Sequence, residues 1–294
     1  MVGDILRTNE LHFKLLIPVW GETYLKRFFD LCSRSLFSEN NLLLLKNFKS
    51  CEVVFLTTKN SDEYIYSYFE NKNIDLKITY IDDLLACSSY GIILTLAYTR
   101  GILTASTKQL ETVFMFLNAD LLLSNNTTTL IIDQLNSGYD GILALGMRCI
   151  EEEVSELIEK SDLSARSLVD ICFKHMHPTM AANIINQDLY YSTNNLAIHL
   201  KTESSCLLTI SFNPYMLCIK PEVELKYAEG YCDFYFVPAM LPSGNYYYIC
   251  DSDEMFMLEI APEQQEKDFI VHGSIVNKKI TNWLSLILMK NKLK

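Results

Sequence analysis

An α/β fold with a Rossmann-like, mainly parallel central sheet flanked by helices is the expectation for this 294-residue chain. Three observations lead there. Short apolar runs of strand character alternate with segments of helical spacing through residues 1–150. One of these runs, Val113 to Leu117, is apolar without alternation, as a strand buried on both faces must be. It breaks abruptly into Asn118-Ala119-Asp120, so an amide and a carboxylate emerge at the carboxyl end of a buried strand, the edge where open α/β sheets bind ligands.

The elements follow in order. Phe13 to Val19 reads as a strand ending in Pro18-Val19-Trp20-Gly21, and Glu22 to Phe37 carries apolar residues at helical spacing. Glu52 to Thr58 is a second strand, followed by Lys59 and a helix that includes Tyr64, Tyr68 and Phe69. Lys77 to Ile81 forms a third strand ending at Asp82-Asp83, and a helix from Tyr90 through Arg100 leads to the central run. Gly141 to Met147 supplies a further strand. Strands separated by helices require right-handed crossovers and hence parallel pairing.

The second half changes character. Glu151 to Cys172 reads as one charged helix, closed by Lys174-His175-Met176-His177-Pro178. Short strand signals at Cys206 to Ser211, Tyr215 to Ile219 and Tyr246 to Cys250 predict mixed or antiparallel additions to the sheet. With neither an internal repeat nor a low-complexity linker, one continuous domain of residues 1–294 is expected, its first 150 residues binding the nucleotide and residues 151–294 facing the acceptor.

Composition narrows the class. With 49% hydrophobic and 21% charged residues the chain is a globular, enzyme-sized protein. A net charge of -11 argues against nucleic acid, whose binders cluster Lys and Arg to displace counterions. Nine cysteines are scattered singly, without a C-x-x-C pair, which predicts small apolar core residues in a reducing cytoplasm. Asp4, Arg7 and Glu10 precede the first apolar run, the wrong order for a secretory signal. A C-terminal helix, Trp283 to Met289 followed by Lys290, Lys292 and Lys294, is a candidate for docking on its own domain or for peripheral membrane contact.

Asp120 is the candidate metal ligand. Hard divalent cations such as Mn²⁺ or Mg²⁺ prefer oxygen ligands and share their sites with substrate phosphates. The plain alternative is that Asn118 and Asp120 simply open a turn, since Ser124-Asn125-Asn126-Thr127 looks like a turn and helix cap.

The ends of three strands, Ile17-Pro18-Val19-Trp20-Gly21, Phe55-Leu56-Thr57-Thr58 and Leu117-Asn118-Ala119-Asp120, resemble in their order the GT-A-fold glycosyltransferases. His177-Pro178, Phe212-Asn213-Pro214 and Asp251-Ser252-Asp253-Glu254 extend the similarity to bacterial glycosyltransferases of surface-polysaccharide synthesis. The resemblance implies transfer of a sugar from a nucleotide-sugar donor to a glycan or lipid-linked acceptor. It also implies a first strand-loop that receives the nucleotide and a D-x-D that holds the metal on the diphosphate. Asn118 departs from that motif, so either it binds through its carbonyl oxygen or to ribose, leaving Asp120 as the main ligand, or metal dependence is weakened.

On this resemblance Pro18, Trp20, Gly21, Thr57, Thr58 and Asp82 are nucleotide-sugar contacts, with Asn118 beside them. Arg100, and with it Arg148, is a candidate to neutralise diphosphate, since a guanidinium matches phosphate geometry. His177 is a further diphosphate contact, and joint metal binding by His175 and His177 is disfavoured because two residues apart on a helix diverge. Asp251 and Asp253, in a crowded carboxylate cluster after an apolar strand, compete with Asp233 for the role of catalytic base. A sugar-nucleotide pyrophosphorylase and a non-catalytic sugar-nucleotide- or glycan-binding relative are the alternatives; the first would carry a Gly-rich basic loop that Pro18-Val19-Trp20-Gly21 lacks.

Overall fold

The computed structural model describes residues 11–38, 41–47, 50–70, 74–87, 89–104, 108–184, 189–191, 197–201, 207–211 and 214–272. The strands are β1 (His12–Pro18), β2 (Ser50–Thr57), β3 (Asp75–Tyr80), β4 (Thr112–Phe116), β5 (Leu121–Leu123), β6 (Gly141–Ala144), β7 (Gly146–Ile150), β8 (Leu189–Tyr191), β9 (Ala197–Lys201), β10 (Leu207–Ser211), β11 (Tyr215–Ile219), β12 (Tyr246–Tyr248), β13 (Met257–Ala261) and β14 (Ile270–His272). The helices are α1 (Glu22–Arg27), α2 (Ser33–Leu36), α3 (Asp62–Phe69), α4 (Tyr90–Leu103), α5 (Thr127–Asn136), α6 (Glu151–Lys160), α7 (Ala165–Lys174), α8 (Pro178–Ala181) and α9 (Cys232–Met240).

The central sheet runs β12-β6-β11-β4-β1-β2-β3. Its β3-β2-β1-β4 half is parallel throughout, β11 inserts antiparallel between β4 and β6, and β12 is parallel to β6. This is the Rossmann-like parallel half and mixed second half that the sequence predicts. Both faces are covered, which explains the unbroken apolar runs: Leu15, Ile17, Phe55, Met115 and Leu117 pack on the α1 side, while Leu16, Val54, Leu56, Phe114 and Phe116 pack against α4 and α9. A second sheet, β5-β13-β7, is built from the segment that directly follows Asp120 and a late strand, β13, that joins it to β7.

Several boundaries differ from the sequence reading. Glu22 to Phe37 is interrupted by a π-helical turn at Phe28–Cys32. Gly141 to Met147 is not one strand: β6 belongs to the central sheet and β7 to the small one, so the chain changes sheets at Leu145. Glu151 to Cys172 is two helices, because Leu163 takes φ 56° and Ser164 begins a new helix by accepting a hydrogen bond from the Ser167 amide at 3.2 Å. The C-terminal helix expected from Trp283 lies outside the described residues, as do Phe212 and Asn213. Among the described residues no helix is long and apolar enough to cross a membrane.

The eight described cysteines are unbridged, and five of them are buried as expected of small apolar residues, whereas Cys250 is exposed.

Close packing of α4 on the sheet depends on Gly101, where a Cβ would come within 2.8 Å of one methyl of Leu16 and 3.2 Å of one of Leu56, both fully buried. Gly101→Val is therefore expected to lower stability by about 1–3 kcal/mol through overpacking, despite its better helix propensity. Urea unfolding followed by circular dichroism measures it.

Candidate functional site

Leu117 is the last residue of the central run held by the sheet, its amide donating to the Leu16 carbonyl at 3.0 Å. Beyond it Asn118 and Asp120 lie next to the loop Val19–Gly21, since β1 and β4 are paired neighbours. Gly21 takes φ +79° there, a left-handed conformation that lets the chain turn from β1 into α1. Thr57, Thr58 and Asp82 lie at the same edge, at the ends of β2 and β3. The structure thus gathers Pro18, Trp20, Gly21, Thr57, Thr58, Asp82, Asn118 and Asp120 along the carboxyl edge of the four parallel strands.

Asp120 is 8% exposed, and no side chain among the described residues donates a hydrogen bond to its carboxylate. The backbone around it is well anchored, its carbonyl accepting from the Ile260 amide at 2.9 Å. The nearest cations are already taken. Arg27 forms a two-bond pair with Glu151, Nε to Oε1 at 2.9 Å and Nη2 to Oε2 at 2.7 Å. Arg148 donates to Glu259 at 2.8 Å and to Glu266 at 2.5 Å. Burial first, and the charge of Glu259 second, raise the Asp120 carboxyl to about 7 against the partial relief of Arg148 and Arg27.

Other groups share this field. Asp233, at the start of α9, is half-buried, and burial with the charge of Glu259 pushes its carboxyl above the usual range while the Cys232 thiol opposes the shift. Tyr90 packs against Trp20 with ring centroids 5.3 Å apart and against Tyr24 at 6.3 Å. The Tyr24 ring also covers the Arg27 guanidinium at 4.8 Å. Burial first and the Asp120 charge second raise the hydroxyls of both Tyr90 and Tyr24 above their ordinary value. An aromatic wall therefore stands beside the carboxylate.

Asn118 is tethered twice. Tyr98, 1% exposed, donates its hydroxyl to Asn118 Oδ1 at 2.7 Å. Tyr215 donates to the Phe116 carbonyl at 2.7 Å and accepts the Asn118 amide at 3.3 Å.

Three expectations need correction. Arg100 is not open to a diphosphate: it holds Asp83 through two bonds of 2.7 and 2.6 Å and the Tyr80 carbonyl at 2.6 Å. Arg148 is likewise spent on two glutamates. His177 is fully buried as the N-cap of α8; its Nδ1 accepts from the Thr179 amide at 3.3 Å and its Nε2 donates to the Pro262 carbonyl at 3.0 Å. With both nitrogens occupied and its pKa lowered, by burial first, it is a neutral structural residue with no face for phosphate.

Asp251 and Asp253 sit in an exposed turn, where the Asp253 amide donates to Asp251 Oδ1 at 2.9 Å. They follow β12, three strands from β4, roughly 14 Å away at normal strand spacing. Asp233 is the member of the trio that shares the field of Glu259. Sequence reasoning missed Glu259, Arg27, Tyr24 and Tyr90. Glu259 had a signal, a single charge inside the apolar strand Met257–Ala261; the others looked like ordinary helical residues.

Among the described residues no three His, Cys, Asp or Glu side chains come together as a metal-binding group. A divalent ion arriving with a diphosphate needs fewer protein ligands, since Mg²⁺-type sites take one or two carboxylates plus phosphate oxygens. The Asp120 carboxylate, to which no side chain among the described residues donates, fits that requirement, whereas Asn118 Oδ1 and Glu259 are already engaged.

No protein-family model and no curated sequence matches the chain. Solved structures with similar backbones include mouse xyloside xylosyltransferase 1, at 12% identity and a TM-score of 0.30 over 46% of this chain and 53% of that one. They also include 4-diphosphocytidyl-2C-methyl-D-erythritol synthase from Anaerococcus prevotii, at 8% identity and a TM-score of 0.35 over 96% and 98%. HddC from Yersinia pseudotuberculosis matches at 10% identity and a TM-score of 0.37 over 84% and 92%. The chain spans about half the length of the xylosyltransferase. Likenesses this distant carry no argument about activity, which rests on the site.

Two predictions follow from the buried titratable groups. Asp120 binds its proton more tightly folded than unfolded, so its contribution to stability is full below about pH 4 and is lost as pH rises through about 7. Asp120→Asn is expected to melt several degrees above the native protein at pH 8, at roughly 2–4 °C per kcal/mol, with the gap closing toward pH 4. His177 has the opposite sign: its lowered pKa makes stability fall as pH drops below about 6.5. His177→Gln should flatten that acid limb in melting curves while costing about 1–3 kcal/mol through its unpaired neighbours.

Proposed function

We propose that this protein is a glycosyltransferase that moves a sugar from a nucleotide-sugar donor to a glycan or lipid-linked acceptor, of the kind used in bacterial surface-polysaccharide synthesis. The observation that carries the reading is Asp120, a buried carboxylate to which no side chain among the described residues donates, at the ligand-binding edge of a Rossmann-like sheet and raised by burial and by the same Glu259 charge that raises Asp233. A divalent ion bound there with the diphosphate would supply charge neutralisation of the leaving group.

The chain's own residues divide the remaining work. Trp20, Gly21 and Asp82 line the edge for base and ribose, the Asp82 carboxylate accepting the Lys59 amide at 3.3 Å and keeping further lone pairs open, whereas the side chains of Pro18, Thr57 and Thr58 are buried beneath it. Trp20, Tyr24 and Tyr90 offer ring faces for stacking. Asp233 serves as general base. As the acceptor oxygen bonds to the anomeric carbon and the bond from that carbon to the diphosphate oxygen breaks, the Asp233 carboxylate takes the acceptor's proton and the nucleoside diphosphate departs. A carboxyl raised by burial is the stronger base for that transfer. Sugar-nucleotide synthesis by pyrophosphorolysis chemistry is less favoured, because the β1 loop offers one glycine and no cation from Val19 to Gly21.

The test is a thermal-shift screen with UDP, GDP, CDP, ADP and their sugars, with and without Mn²⁺. A nucleotide acting on the native state is expected to raise the melting temperature only with Mn²⁺, and Asp120→Asn to abolish the rise. Asp233→Asn should keep the shift and lose about 10²–10⁴ in transfer rate. Metal-dependent binding without transfer or donor hydrolysis would mark a non-catalytic relative instead.

A further inference from the structure

Asn118 occupies the place of the first carboxylate in a D-x-D, and the hydrogen bonds around it decide what an amide does there. Its Oδ1 accepts from Tyr98, which reaches up from α4 with its hydroxyl 2.7 Å away and its side chain closed off from solvent. Drawing that oxygen onto a metal ion would compete with this bond and leave the neighbouring Tyr215 hydroxyl, itself already engaged with Phe116 and Asn118, as the partner of the buried Tyr98 hydroxyl. The backbone is held as firmly: the Tyr215 hydroxyl accepts the Asn118 amide and passes its own proton to the Phe116 carbonyl, so the strand end cannot slide. Fixing Oδ1 fixes the amide plane. Nδ2 is then left with its two N–H groups free of any acceptor among the described residues, on a half-buried side chain two positions from Asp120.

We propose that Asn118 contacts the donor substrate as a hydrogen-bond donor through Nδ2, rather than the metal through Oδ1, and that Tyr98 and Tyr215 are the positioning residues that hold it in that orientation. This rests on the nucleotide-sugar reading above and adds the polarity of the contact: the group met is an acceptor oxygen of the nucleoside diphosphate. An amide is suited to that task at an edge already rich in carboxylates, because it offers protons without adding negative charge beside Asp120 and Glu259. A carboxylate at this position would present lone pairs to an oxygen of the same kind. The departure from D-x-D is then a change of role and not a weakened metal site.

The experiment compares the native protein, Asn118→Asp and Tyr98→Phe by titration calorimetry with UDP, GDP, CDP and ADP at saturating Mn²⁺, and by electron paramagnetic resonance titration of Mn²⁺ alone. Asn118→Asp, which restores the D-x-D, is expected to weaken binding of the nucleotide that the native protein selects by about tenfold or more. Tyr98→Phe, which frees the amide to rotate, should weaken the same nucleotide by about three- to tenfold while leaving Mn²⁺ affinity unchanged, a separation that simple loss of stability would not produce. Nucleotide binding by Asn118→Asp as tight as the native protein's, or Mn²⁺ affinity that changes in Tyr98→Phe, overturns the proposal. A native protein that binds none of the four diphosphates fails the nucleotide-sugar reading itself, and that result is visible before either variant is measured.

Discussion

The carboxylate of Asp120 has no counterion of its own, and the surrounding architecture follows from that deficit. Two arginines approach it, but each is claimed by glutamates from distant parts of the chain, Arg27 by Glu151 and Arg148 by Glu259 and Glu266. Such pairs hold the guanidinium groups, although Arg27 keeps a buried Nη1 without a partner, and do not neutralise the edge, which keeps more carboxylates than cations. A site of this kind accepts a proton or a cation readily and repels a bare anion. An overall charge of -11 is therefore compatible with an anionic substrate only if positive charge arrives together with it.

The parallel half of the fold was legible because strands buried on both faces leave long apolar runs between helical segments. The strand from Val113 and its abrupt end at Asn118 and Asp120 are read directly from residue type. The small sheet was not legible. Met257–Ala261 is five residues long with one charge, a pattern shared by strands and buried helix segments, and its partners β5 and β7 lie more than a hundred residues earlier. Missing β13 meant missing Glu259, and with it the field that acts on Asp120. Cys232–Met240 was equally opaque as a helix, since it carries Pro238 inside it, a residue that ordinarily breaks helices, and its apolar residues surround it without a clear polar face.

Charge type alone also misdirected the choice of basic residues. Arg100 and Arg148 are chemically suited to phosphate, but partner choice is set by the fold, and both face carboxylates that sequence proximity does not reveal. His177 illustrates the same limit in another form. Its position before Pro178 suggested the end of one helix, where a cation is favoured, whereas it starts the next one, where the ring must present a lone pair to the Thr179 amide. One residue of boundary reverses the required protonation state.

The insertion of β11 between β4 and β6 also bears on how the chain reaches its native state. Both neighbours are complete once residue 144 is available, but the strand that joins them begins at residue 215. Until then the apolar edge of β4 is unpaired, and the two halves of the central sheet have no backbone hydrogen bonds between them. Closing so long a loop slows folding, and an open edge in the meantime is a template for pairing with another chain. During synthesis at about 5–20 residues per second, this edge stays open for several seconds at least. Aggregation of truncated or slowly folding chains would therefore begin at β4, the strand that ends in the candidate site.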